Sequence, residues 1–168
     1  GLRPGMSIYL DAGTTMLSFV PHIVELSDMT VVTNDFQIVR ELASATHVNV
    51  IHIGGQLDHR NLSSVGTLAA ATLRQVVLDV AFISASSWDL RRGVTTPSAP
   101  KVEVKLAAMD AASRNVLTVA SSKYGTVGLY KVASLESFDQ VITDDGLAPA
   151  AATGIRQSGI DLALAAVE

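Results

Sequence analysis

One short pattern recurs along this chain and restricts its fold more than any other feature. A run of β-branched and apolar residues ends in a small polar or glycine turn, and an apolar-periodic stretch follows. Its first instance is Ser7-Ile8-Tyr9-Leu10-Asp11-Ala12-Gly13-Thr14-Thr15, leading into Met16–Leu26. Such a run predicts a buried strand, a tight turn, and a helix that starts at the threonines. Thr14 and Thr15 are N-cap candidates, because a hydroxyl accepts from the unpaired N–H groups of a first turn. Gly13 lets the backbone come close to whatever sits above it. The free N–H groups and positive helix end make the turn a seat for a phosphate or another anion. The alternative is that Gly13 only turns the chain and Thr14 only caps a helix.

The pattern repeats at Met29–Asp35, where Thr33, Asn34 or Asp35 caps a helix over Phe36–Ala43. His47–Ile53 alternates and ends at Gly54-Gly55; a polar loop follows over Gln56–Ser64, and Gly66 opens a helix to Val77. Leu78–Ile83 is another buried strand, ending in the small polar run Ser84-Ala85-Ser86-Ser87. With Gly93, Pro97 and Pro100, Trp88–Pro100 reads as a loop. Val102–Ser113 is an amphipathic helix with Val102, Leu106, Met109 and Ala112 near one face. Strands are then expected at Asn115–Ala120, Leu129–Val132 and Phe138–Thr143, a helix at Ala148–Gln157, and an edge strand at Ile160–Ala163.

Alternating strand and helix predicts an α/β fold, a Rossmann-like, mostly parallel sheet with helices on both faces. Right-handed crossovers gather the C-terminal strand ends on one edge, where ligands bind in open α/β folds. That edge collects Asp11–Thr15, Thr33-Asn34-Asp35, Gly54-Gly55, Ser84–Ser87 and Ser121-Ser122-Lys123. Most of these turns end in hydroxyl, amide or glycine groups, and their convergence favours the anion seat.

Composition removes other classes. With 168 residues, 48% of them hydrophobic, the chain suits one domain with a substantial core. It has no cysteine, which excludes disulfides and thiolate zinc sites. The net charge of −4 speaks against this segment itself gripping a nucleic-acid backbone. No apolar run reaches membrane-span length. His22, His47, His52 and His59 share no metal-motif spacing, so neither a metal nor a cofactor is expected. Gly1–Gly5 reads as the run-in to a strand, and the chain is expected to be an excised domain.

An ordered set of pieces resembles the C-terminal effector-sensing domain of DeoR-type bacterial transcriptional repressors. They are Leu10–Thr15, Val31–Asn34, Ile53–Gly55, Gly66, Asp79–Ile83, Gly93–Thr96, Val104-Lys105 with Ala108-Met109, Ser122–Gly125 and Val141–Asp144. The resemblance implies a single sensor domain over 1–168 and a winged helix-turn-helix preceding Gly1 that contacts operator DNA. It also implies a phosphorylated sugar or related metabolite as effector, a homo-oligomer, and a cytoplasmic setting without a membrane partner. The expected ligand contacts are Asp11, Gly13, Thr14, Thr15, Thr33, Asn34, Gly54, Gly55, Ser84, Ser86, Lys105 and Lys123.

The fold implied is that of ribose-5-phosphate isomerase, with room for a small antiparallel edge, and this supplies the rival function. In that family a Gly-x-Gly-Ser-Thr turn holds the phosphate, the place Asp11–Thr15 takes here. The isomerase's Asp-Gly-Ala-Asp run falls on Ile83-Ser84-Ala85-Ser86, so both its carboxylates are missing. Aldose–ketose isomerisation needs a base to move a proton between adjacent carbons. Glu103 is the remaining candidate, and reads otherwise as an exposed helix residue paired with neighbouring lysines. The expectation is therefore a sensor without catalysis. The sequence also departs from the regulator pattern. Ser84 and Ser87 stand where glycines are frequent, Ala120 where an aspartate is, and Lys101 where an acidic residue is.

Overall fold

The computed structural model describes residues 1–167 and turns the β-branched runs into strands. β1 (Ser7–Leu10), β2 (Thr30–Thr33) and β3 (Asn49–His52) alternate with helices α1 (Thr14–Leu17), α2 (Val20–Ile23) and α3 (Phe36–Leu42). A hairpin of β4 (Gln56–Asp58) and β5 (Ser63–Val65) precedes α4 (Thr67–Leu73) and β6 (Leu78–Ile83). A second hairpin, β7 (Ser87–Asp89) and β8 (Gly93–Thr96), leads into α5 (Ala99–Ala111) and β9 (Ala112–Thr118). The last elements are β10 (Tyr130–Ala133), β11 (Gln140–Asp144), α6 (Pro149–Gln157) and β12 (Leu162–Ala165).

Seven strands form one sheet in the order β12-β11-β9-β6-β1-β2-β3, with every neighbouring pair parallel. Antiparallel pairing occurs in two separate small sheets, β10-β8-β7 and β4-β5. Because side chains alternate along a strand, each central strand feeds two cores. Ile8, Leu10, Val31, Val80 and Phe82 pack on one face with Met16, Ile23 and Ile38 of α1–α3. Tyr9, Val32, Ala81 and Ile83 pack on the other with Leu73 of α4, Val104 and Ala108 of α5, and Ile155 of α6. Each fully buried aliphatic side chain contributes roughly 1.5–3 kcal/mol, so both layers are held by ordinary core burial.

Several local expectations are corrected. The helix over Met16–Leu26 is two short helices, because Pro21 at the start of α2 has no N–H to continue α1. Ser18 Oγ also donates to the Thr15 carbonyl at 2.6 Å, ending that first turn. Thr14 and Thr15 are not caps. Gly13 holds the N-cap position at φ 149°, and neither threonine makes a capping bond. The third candidate cap of α3, Asp35, does cap it.

The loops expected over Gln56–Ser64 and Trp88–Pro100 contain the two hairpins, whose three- and four-residue strands are too short to show a period. Gly93 reads as a loop signal but has another task. At φ 71°, a Cβ there would lie 2.2 Å from the Ala133 carbonyl oxygen, so only glycine lets β8 meet β10. On α5, Leu106 is exposed while Val104, Lys105, Ala107, Ala108 and Met109 are buried. The helix therefore packs through a face rotated from the expected one, with a lysine inside it.

Candidate functional site

The C-terminal ends of β1, β6 and β9 and the first turns of α5 enclose a cleft of about 320 Å³. The crossovers put it there, since each parallel strand must end on this edge before its helix turns back.

At the cleft wall lies an ion pair. Lys105 Nζ donates to Asp11 Oδ2 at 2.5 Å, and the two side chains are only 8% and 3% exposed. Lys105 also donates to the Ser84 carbonyl at 2.7 Å, while Ser84 donates to Asp11 Oδ2 through both N–H and Oγ, each at 3.0 Å. The other carboxylate oxygen faces the Tyr9 hydroxyl at 3.1 Å, which also lies 3.0 Å from Asn34 Oδ1. Asn34 is held in turn by its Nδ2, which donates to the Ser64 carbonyl. Burial first, and then the Asp11 charge, push the Tyr9 hydroxyl well above its ordinary pKa, so it stays a donor. Asp11 is thus a structural hub, with both of its oxygens occupied.

A second buried carboxylate shapes the glycine turn. Asp35 Oδ1 accepts from Gln37 N–H at 2.7 Å and Ile38 N–H at 3.2 Å, capping α3. Its Oδ2 accepts from Gly13 N–H at 3.1 Å. One donor of the turn is therefore already used, while the first N–H groups of α1, on Thr14 and Thr15, have no intrahelical partner. Both threonines are exposed and line the cleft.

Two further lysines border the opening. Lys101 Nζ lies 3.6 Å from Asp58 Oδ2 of β4. Lys123 is exposed on the short 3₁₀ turn Ser121–Lys123. Asp144 pins that turn, accepting from Ser121 Oγ at 2.5 Å and Ser121 N–H at 2.8 Å. The Ser121 hydroxyl, followed by backbone N–H groups, holds the Asp144 carboxyl below its usual range. A depressed carboxyl pKa stabilises the fold above the unfolded value near 4, and that contribution is lost as pH falls through the folded value. Asp144→Asn should therefore flatten the stability decline below about pH 4, measured as urea midpoints between pH 5 and pH 2.5. An unchanged acid limb would show that Asp144 does not contribute to it.

Of the expected contacts, Asp11, Gly13, Thr14, Thr15, Asn34, Ser84, Ser86, Lys105 and Lys123 line the cleft. Thr33, Gly54 and Gly55 do not. The Thr33 hydroxyl donates to the Leu10 carbonyl at 2.7 Å, tying β2 to β1. Gly55 backs onto α4, where a Cβ would meet Ala69 at 3.0 Å, and Gly54 is exposed. Both glycines sit beyond β3, too far along the sheet to reach the opening at β1 and β6. Glu103 is exposed on α5 and is not part of the lining. It pairs with no lysine among the described residues.

Five polar lining residues were not expected: Asn61, Ser63, Thr96, Lys101 and Thr118. Lys101 stands out in the sequence only as a departure, Thr96 only as the end of the piece Gly93–Thr96, and Thr118 only as the end of a strand, while Asn61 and Ser63 carry no signal before the first hairpin folds over the edge. No metal-binding group of three or more His, Cys, Asp or Glu forms among the described residues. No helix there is long and apolar enough to cross a membrane.

The chain matches the family model of the DeoR C terminal sensor domain over residues 2–145. The uncharacterized HTH-type transcriptional regulator YgbI of Escherichia coli K12 is 43% identical over 98% of this chain and 64% of its own length. A putative aga operon transcriptional repressor of Escherichia coli O157:H7 is 26% identical over 97% of this chain and 61% of its own. The chain thus spans less than two thirds of the length of these relatives. Among solved structures, ribose 5-phosphate isomerase A of Methanocaldococcus jannaschii superposes with a TM-score of 0.50 at 16% identity, covering 73% of this chain and 48% of that one. The delta subunit of eIF2B from Chaetomium thermophilum reaches 0.57 at 13% identity, covering 83% and 50%. Identities this low speak to the fold alone. With its parallel sheet, its C-terminal-edge cleft and the family match over most of its length, the chain belongs to the DeoR C-terminal sensor-domain family, whose members are transcriptional regulators.

Proposed function

We propose that the cleft binds a phosphorylated sugar or related metabolite. Its occupancy controls DNA binding by a winged helix-turn-helix segment elsewhere in the regulator, without chemistry on the ligand. The observation that carries this reading is the turn Gly13-Thr14-Thr15. It presents free N–H groups and two hydroxyls to a cleft bordered by Lys101 and Lys123. A phosphate seated there meets charge-assisted donors from both sides. Hydroxyls of Ser84, Ser86 and Thr96 line the remainder and suit a polyol. Binding acts on DNA affinity only through differential affinity for two arrangements of the regulator, and a homo-oligomer is the expected frame for them.

A role without catalysis is supported by the state of the carboxylates. Among the described residues Asp11 is the only one lining the cleft, and Lys105, Ser84 and Tyr9 occupy its oxygens. The rival raised by the sequence is conversion of ribose 5-phosphate to ribulose 5-phosphate with Glu103 as base, and Glu103 lies outside the cleft lining. That rival predicts turnover abolished by Glu103→Gln, and no turnover above a buffer blank removes it.

The ligand test is a thermal-shift panel of sugar phosphates, the matching free sugars and inorganic phosphate. At one hundred times Kd, linkage adds about 2.7 kcal/mol, which for a domain of this size is a rise of roughly 5–10 °C. Stabilisation by free sugars but by no phosphosugar would sink the phosphate assignment.

A further inference from the structure

The hydrogen bonds around Tyr9 do not balance. Its hydroxyl lies 3.1 Å from Asp11 Oδ1 and 3.0 Å from Asn34 Oδ1. None of the three residues is more than 3% exposed. Carboxylate and amide oxygens only accept, and a phenol has one proton to give. The Tyr9 hydroxyl keeps that proton, since burial and the Asp11 charge push its pKa up. Two buried acceptors therefore compete for one donor.

No neighbour makes up the difference. Among the described residues Tyr9 is the only donor to either oxygen. Asp11 is ion-paired with Lys105 through Oδ2 and brings no proton of its own. Ser63, the serine that the first hairpin adds to the lining, already donates its hydroxyl to Asn61 Oδ1 at 2.6 Å. Turning the Asn34 amide over does not help. Its Nδ2 now donates to the Ser64 carbonyl at 2.9 Å, and the turned amide would set Oδ1 against that carbonyl instead. In either orientation the cluster is one proton short.

The single proton goes to Asp11, because a charged acceptor makes a hydrogen bond roughly twice as strong as a neutral one. Asn34 Oδ1 is then the acceptor left over, facing only the lone pairs of the Tyr9 oxygen. Asn34 also lines the cleft, so the missing donor can arrive with a ligand.

We infer that Asn34 is a specificity-determining contact whose Oδ1 accepts a hydrogen bond from a hydroxyl on the ligand's carbon chain. The inference rests on the phosphosugar reading above and adds to it the polarity required at one point of the wall. With Nδ2 held by Ser64, Asn34 offers no donor there. A keto or ether oxygen at that place meets lone pairs and is refused, while a hydroxyl completes the network.

The test is calorimetric titration with two phosphate esters of equal chain length, ribitol 5-phosphate and pentyl phosphate. Wild type should prefer ribitol 5-phosphate at least tenfold, since a site built to bond a hydroxyl rejects the analogue lacking it. Asn34→Leu keeps the bulk and removes the acceptor, and should reduce that preference about tenfold, the loss of one hydrogen bond. Tyr9→Phe should raise the preference severalfold, because it withdraws the oxygen facing Asn34 Oδ1 and the donor serving Asp11 Oδ1. A purely structural role for the cluster would alter melting in both variants and the preference in neither. An unchanged preference in Asn34→Leu overturns the inference and leaves the phosphate reading standing. Should Asn34→Leu fail to fold, Tyr9→Phe decides alone, and no rise in preference overturns the inference. Binding of neither ester, with binding of free sugars, overturns both readings.

Discussion

Replacing Lys105 by methionine should lower the unfolding free energy by about 3–5 kcal/mol, the usual cost of leaving a buried charge without its partner. Methionine keeps the length and the apolar stem but removes the three donors that serve Asp11, the Ser84 carbonyl and Ser84 Oγ. Asp11 would keep Ser84 and Tyr9 as donors, so the loss should fall toward the lower end of that range. Urea unfolding reads the effect directly. In a thermal melt it is a fall on the order of 10 °C. The double variant Asp11→Asn/Lys105→Met should recover part of the stability, because neither charge is then orphaned. If Lys105→Met and the double variant are equally stable, the pair is not coupled and the hub assigned to Asp11 is wrong.

Asp35→Ala should cost about 2–4 kcal/mol, combining a lost helix cap with a partly buried donor left unpaired. The cap serves Gln37 and Ile38, and the stranded donor is Gly13 N–H. The two parts separate experimentally. Asp35→Asn retains an oxygen for the cap while turning an amide donor toward Gly13, so it should preserve most of α3 yet still release the turn. Amide hydrogen exchange at Gly13 follows the second effect, rising in both variants. Protection of Gly13 that survives both would mean that Asp35 does not hold the turn.

Both predictions concern groups whose role the sequence states only in part. Asp11 reads as a ligand contact at the end of a strand, and the structure makes it the acceptor around which Tyr9, Ser84 and Lys105 are arranged. No local pattern links residues 11 and 105, since their meeting depends on α5 crossing back over β1 and β6. Lys105 even interrupts an apolar face, so the helix period alone places the buried side of α5 wrongly. The paired hairpins were illegible for a different reason. Strands of three or four residues hold too little alternation to separate from loop, and Gly93 and Pro97 imitate punctuation there.

The sequence by itself determined the layers. β-branched runs with an alternating apolar set on each side can be satisfied only by a sheet covered on both faces, and the turns after them must then collect on one edge. The pattern alone therefore places Gly13 and its two threonines at the edge where the cleft opens. Tertiary structure decided which turns reach one another. It left Gly54 and Gly55 outside the cleft, because β3 lies at the sheet's far edge, two strands from the opening. It brought in Asn61, Ser63, Thr96 and Lys101, because hairpins and a helix start from distant sequence fold over that same edge, and Thr118 from the end of β9. Periodicity acts within one element and is written locally. Electrostatic pairing and cleft lining act between elements, through separations that only the packed sheet sets.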